Sequence, residues 1–146
     1  MNASESNEAH DYRISHRAPG PDDDVSAPLW DVREMMPDYY TRPDIYRFPH
    51  DGAERVAERV ILAARGCPQM KVTVYRAVPA GVTTLHTGDW VTLAKGYADD
   101  LTYSDTPEAA SHVRCAEVYA SELWTEGYAL EWGYSGPDLT MKEAAK

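Results

Sequence analysis

The sequence predicts an α+β domain, with helix and loop in its first half and strands in its second. Two observations carry this. Apolar residues recur at helical spacing most clearly between Asp51 and Arg65, a segment closed by Gly66 and Pro68. Beyond Pro68 they fall into short runs broken by Gly and Pro, as strands do. Regular strand–helix alternation and internal repeats are both missing, which argues against an α/β fold.

Residues 1–9 are small, polar and acidic, the composition of a mobile tail. They offer neither a cationic start nor an apolar stretch, so no secretory signal is expected. Residues 10–28 contain His10, Tyr12 and His16, then Ala18-Pro19-Gly20-Pro21 and Asp22-Asp23-Asp24, a breaker cluster that reads as loop. The three aspartates lack further ligands at a recognised spacing, which favours a solvated loop over a cation site. Residues 29–36 suggest a short helix stopped by Pro37. Tyr39, Tyr40, Tyr46 and Phe48 make an aromatic patch interrupted by Pro43.

The helix from Asp51 to about Arg65 has Asp51 as its cap, and Val56, Val60 and Ile61 as its apolar stripe. Its expected task is to cover one side of a sheet. A strand follows over Lys71–Val78, and Pro79-Ala80-Gly81 turns out of it. A second apolar stretch covers Val82 to Leu85, with a turn at His86–Asp89 and another strand at Trp90–Leu93. Ala94–Asp100 reads as a short helix, and Pro107–His112 as a helical turn or loop. Further strands are expected at Val113–Tyr119 and Tyr128–Trp132, the latter bracketed by Gly127 and by Gly133-Tyr134-Ser135-Gly136-Pro137. Polar residues after Asp138 are expected to fray. One domain over residues 10–137, between tails 1–9 and 138–146, suits a chain of 146 residues.

A net charge of −10 argues against broad binding to a phosphate backbone, so nucleic acid is not the expected partner. It leaves room for a local basic pocket that takes one small anion. Ten Tyr and four Trp against one Phe give the aromatic surface polar handles that suit cleft walls as well as a core. Cys67 and Cys115 are too few for a disulfide framework and read as buried or half-buried free thiols of a reducing cytoplasm. No run is long enough to span a membrane. His10, His16, His50, His86 and His112 show no metal-ligand spacing, so no metal site is expected. A dinucleotide-binding Gly-x-Gly-x-x-Gly, a phosphate-binding loop and a local signature of a nucleophilic triad are all missing.

Three segments place polar groups in or beside apolar runs: Val74-Tyr75-Arg76-Ala77-Val78-Pro79, Gly88-Asp89-Trp90-Val91-Thr92-Leu93 and Leu130-Glu131-Trp132-Gly133-Tyr134. Arg76 shares strand parity with Val72, Val74 and Val78, and a guanidinium on an apolar face needs a carboxylate or a phosphate. Its partner could be Glu131 or an aspartate, in a structural ion pair, or a ligand. Thr92 fits ordinary strand propensity, or support of a site at the head of the next helix. Tyr97 fits an ordinary amphipathic aromatic, or a ring at the mouth of a cleft. Glu131 sits between Leu130 and Trp132 at a predicted strand end, suited to act on a ligand or to close a salt bridge.

Taken in order, the strand arginine, the Gly-Asp-Trp-Val-Thr segment leading to a helix with Tyr97-Ala98, and the late Glu131-Trp132-Gly133-Tyr134 resemble ADP-ribosyltransferase-like domains. The closest likeness is to those of phage and bacterial polyvalent proteins. Tyr12-Arg13-Ile14-Ser15-His16, Ala18-Pro19-Gly20 and Met36-Pro37-Asp38 are similar to the leader that precedes such domains.

The resemblance implies two small, roughly perpendicular antiparallel sheets that form an NAD⁺-binding cleft, flanked by helices. It implies that Glu131 is catalytic, that Arg76 contacts the phosphate and ribose region, and that Thr92 supports the site. Tyr97 would stack on nicotinamide, and His16 would either touch the adenosine side or be a loop histidine without such a role. The implied activity is mono-ADP-ribosyl transfer from NAD⁺ to a protein acceptor, in a bacterial or phage-infected cytoplasm. Arginine-modifying members carry Glu or Gln two residues before the catalytic glutamate, where this chain has Ala129. That departure leaves another side chain, a nucleic acid or water as the acceptor. NAD⁺ hydrolysis in the same pocket, and a non-catalytic acidic binding or inhibitor protein, are the alternatives.

Overall fold

Between residues 71 and 78 the side chains alternate, Val72 and Val74 inward and Lys71 and Thr73 outward, and this period of two shapes the longest ladder of the protein. The computed structural model describes residues 17–47, 52–102 and 110–144. In chain order these form β1 (Ala27–Pro28), a 3-10 turn (Pro43–Tyr46), α1 (Gly52–Ala64), β2 (Lys71–Val78), β3 (Thr84–Leu85) and β4 (Trp90–Val91). There follow α2 (Lys95–Asp99), β5 (His112–Tyr119), a 3-10 turn (Ala120–Glu122), β6 (Leu123–Thr125), β7 (Trp132–Tyr134), β8 (Leu139–Thr140) and β9 (Lys142–Glu143). The class is α+β, with few helices and several antiparallel sheets.

β2 pairs with β5 along its whole length, Lys71 opposite Tyr119 and Val78 opposite His112, and β9 extends that sheet beyond β5. A second sheet runs β1-β6-β7-β4, and β3 pairs with β8 in a two-stranded ribbon. One isolated bridge ties the two larger sheets together. Tyr75 and Thr92 exchange both backbone hydrogen bonds, each at 2.9 Å, just past the end of β4.

The core lies between these sheets and α1, and includes Leu29, Val74, Ile61, Leu123, Leu130 and Trp132. α1 meets it with Ala57, Ile61 and Ala64, together with the carboxylate-bearing Glu54. The expected Val56–Val60–Ile61 stripe is therefore rotated: Val56 is exposed, Val60 half-buried and only Ile61 fully buried. Small alanines let the helix sit close, and close packing outweighs the larger valines in setting its phase. Gly66, at φ 72°, ends the helix and donates its N–H to the Trp30 carbonyl at 2.8 Å. The Asp51 cap, His10, Tyr12, His16, Phe48 and His50 lie outside the described residues, as do residues 107–109.

Four further expectations are corrected. Residues 29–36 form turns rather than a helix, because the Asp31 side chain accepts the Arg33 N–H, a local alternative to helical bonding. The strand expected over Tyr128–Trp132 starts only at Trp132, and residues 129–130 form a turn. The buried Thr125 hydroxyl organises that turn, accepting the Gly127 N–H at 3.1 Å and lying 3.1 Å from the Tyr128 carbonyl. Residues 139–143 pair with β3 and β5 instead of fraying, since Leu139 and Met141 supply inward residues within a polar sequence. Cys67 is exposed, while Cys115 is buried in β5, and both are free.

No helix among the described residues is long and apolar enough to cross a membrane. No group of three or more His, Cys, Asp or Glu among them could hold a metal ion.

Candidate functional site

The bridge between Tyr75 and Thr92 gathers the sequence-selected residues. Arg76 follows Tyr75 on β2, and Thr92 follows Val91, whose partner across the β4–β7 ladder is Trp132. Glu131 directly precedes Trp132. The backbone thus brings Arg76, Thr92 and Glu131 around the end of β4, although they are far apart in sequence.

Arg76 points the same way as Val72, Val74 and Val78, and its side chain is 29% exposed. Its Nη1 donates to the Trp90 carbonyl at 2.8 Å, and its Nη2 lies 3.8 Å from Asp89 Oδ1. Asp89 is fixed by its own turn: Oδ2 accepts the His86 N–H at 2.8 Å, and its carbonyl accepts the Tyr134 N–H at 3.0 Å. Gly88 makes that turn possible at φ 96°.

Thr92 is 3% exposed, and its Oγ1 lies 3.4 Å from the Ala94 N–H at the head of α2. One turn further on, Tyr97 is half-buried and its hydroxyl donates to Glu131 Oε2 at 2.6 Å. The Tyr97 ring meets Tyr128 edge-on, with centroids 6.3 Å apart and planes at 85°. Burial raises the Tyr128 pKa; hydrogen bonding to Tyr97 opposes the rise, and the negative charges of Glu131 and Glu54 add to it. Glu54 is 3% exposed and reaches this cluster from α1, which packs against α2.

The structure therefore brings all four sequence-selected residues together, three through the β4 end and Tyr97 through Glu131. Sequence reasoning offered an aspartate for Arg76 without naming Asp89, and missed Tyr128 beside Tyr97 and the buried Glu54 whose charge acts on Tyr128. A signal for Glu54 existed: it stands three residues before Ala57 and seven before Ile61, on the buried face. Two hollows lie beside other residues. One, of about 220 Å³, separates Arg17–Asp23 from Thr87, Gly88 and Tyr134. The other, of about 230 Å³, lies between Lys95, Asp99, His112 and Glu143.

The start of the described chain packs on β7 beside the site. Ala18 donates its N–H to the Gly88 carbonyl at 3.2 Å, and a methyl group at Gly133 would overlap the Pro19 carbonyl.

Comparison with protein-family models gives no match to this chain. Comparisons with curated proteins and with solved structures likewise give none.

Proposed function

We propose that the protein is a mono-ADP-ribosyltransferase that takes ADP-ribose from NAD⁺, passes it to a protein acceptor and releases nicotinamide. The observation that supports this reading is the carboxylate of Glu131, held at 2.6 Å by the Tyr97 hydroxyl beside the strand end that carries Thr92 and faces Arg76. The resemblance in sequence supplies the identity of the donor.

The chemistry suits these groups. Loss of nicotinamide leaves positive charge on the ribose, as in glycoside hydrolysis. Glu131, accepting a hydrogen bond from the ribose 2′-hydroxyl, stabilises that charge more than it stabilises the ground state. Arg76 meets the pyrophosphate with a fork of N–H donors, and a phosphate there competes with Asp89 for the same guanidinium. Thr92 supports the strand end from within the core, and Tyr97 offers its ring to the nicotinamide. Nicotinamide leaves readily, so no strong general acid is needed.

Hydrolysis of NAD⁺ is the second reading, and Ala129 favours it. That residue is 4% exposed and has no polar side-chain atom to orient an acceptor. Incubation with labelled NAD⁺, with and without cell lysate, separates the possibilities. Label on a lysate protein supports transfer, and free nicotinamide without labelled protein supports hydrolysis. Neither product, with an unchanged melting temperature on adding NAD⁺, supports a non-catalytic acidic binding protein in which Arg76 serves only Asp89 and Trp90.

A further inference from the structure

We infer that Tyr97 is the positioning residue for Glu131, acting through its hydroxyl and not only through its ring. The inference rests on the proposed transfer reaction and deepens it by naming the group that sets the carboxylate. At 2.6 Å the contact falls within the short range of hydroxyl-to-carboxylate hydrogen bonds. The buried Thr92 hydroxyl accepts the Ala94 N–H at 3.4 Å at the start of α2.

The support behind Tyr97 is stiff. α2 is anchored by Ala98, 1% exposed, and packs against β2 and α1, so core contacts place the tyrosine backbone. A tyrosine hydroxyl has one proton to donate, and here Glu131 takes it. Tyr128 lies behind Tyr97, their rings edge-on with centroids 6.3 Å apart. Fixing Oε2 fixes the plane of the carboxylate, and with it the direction from which a ribose hydroxyl is accepted. A carboxylate torsion is otherwise broad.

Tyr97→Phe and Tyr128→Phe keep both rings and remove one hydroxyl each. Nicotinamide release gives kcat and KM, and calorimetry gives the Kd for NAD⁺. Tyr97→Phe is expected to lower kcat about ten- to hundredfold, the loss typical of a misplaced reacting group, with KM and Kd within about twofold. Tyr128→Phe leaves the Tyr97–Glu131 bond in place and is expected to keep kcat within about twofold. Should Tyr97→Phe melt early, kcat and Kd are compared at a temperature where it is folded, and a kcat loss with Kd unchanged still separates positioning from lost fold. An active wild type whose Tyr97→Phe variant keeps its kcat and raises KM overturns the inference alone, leaving the ring as the useful part. A wild type that neither binds nor cleaves NAD⁺ overturns the transfer reading and this inference with it.

Discussion

Arg76 crosses from β2 to the Trp90 carbonyl of β4 at 2.8 Å, immediately beside the Tyr75–Thr92 bridge that joins the same two segments. One side chain thus braces the junction of the two larger sheets while presenting 29% of its surface. Structural and ligand roles meet in the same guanidinium, and substitutions can separate them.

Arg76→Ala removes a charge-assisted bond to a backbone carbonyl, worth about 1.5–3 kcal/mol in general. Unfolding in denaturant is expected to show a loss within that range. NAD⁺ affinity, measured by calorimetry at a temperature where the variant is folded, is expected to fall about ten- to hundredfold. Arg76→Lys is expected to recover little, since an ammonium cannot span a carbonyl and a phosphate as a planar fork does.

Asp89→Asn keeps an oxygen for the His86 N–H and removes the anion 3.8 Å from Arg76. Exposed or half-exposed ion pairs are worth at most about 1 kcal/mol, so stability should change by less than that. NAD⁺ is expected to bind about two- to fivefold tighter once the competing carboxylate is gone. Weaker binding would mean that Asp89 orients Arg76 toward the ligand.

Gly133→Ala tests how the start of the described chain is seated. The added methyl overlaps the Pro19 carbonyl and crowds Ala18 Cβ at 2.9 Å, so β7 and residues 18–19 must move apart. A loss of about 1–3 kcal/mol is expected in chemical denaturation. Faster exchange of the Ala18 amide, which donates to the Gly88 carbonyl, and of the Gly88 amide, which donates to the Tyr134 carbonyl, would locate the effect.

Alkaline pH should weaken the fold through Tyr134. Burial, with the charges of Glu122 and Asp138, pushes its hydroxyl up to about 12 from an ordinary 10.0. A folded pKa above the unfolded one gives stability that is complete below pH 10.0 and lost as pH rises through about 12. Melts over this window should show a steeper alkaline loss in the wild type than in Tyr134→Phe. That variant should start less stable, because it lacks the hydrogen bond to the Pro137 carbonyl.

Much of the strand framework was legible because its signals are local. Alternating valines and the Pro79-Ala80-Gly81 breaker define Lys71–Val78 at both ends. The surroundings of Glu131 were not legible in the same way. Tyr128-Ala129-Leu130 is an apolar run that suits a strand or a buried turn equally, and the Thr125 hydroxyl with Gly127 at φ 119° decides for the turn. Met141 lies in a segment too polar to announce a strand, and it is buried only because β3 and β5 offer open edges. The Asp89–Arg76 contact joins β2 to the turn before β4, so no spacing within either segment foretells it.

Glu131→Gln, assayed with labelled NAD⁺ beside the wild type, tests the central claim most directly. Gln keeps the size of the side chain and an oxygen for the Tyr97 hydroxyl while removing the charge. Nicotinamide release is expected to fall at least about a hundredfold, as when a transition-state charge loses its partner, with NAD⁺ affinity and melting temperature nearly unchanged. Equal nicotinamide release from the two proteins, or a variant that loses NAD⁺ cleavage only because it unfolds, would contradict the account.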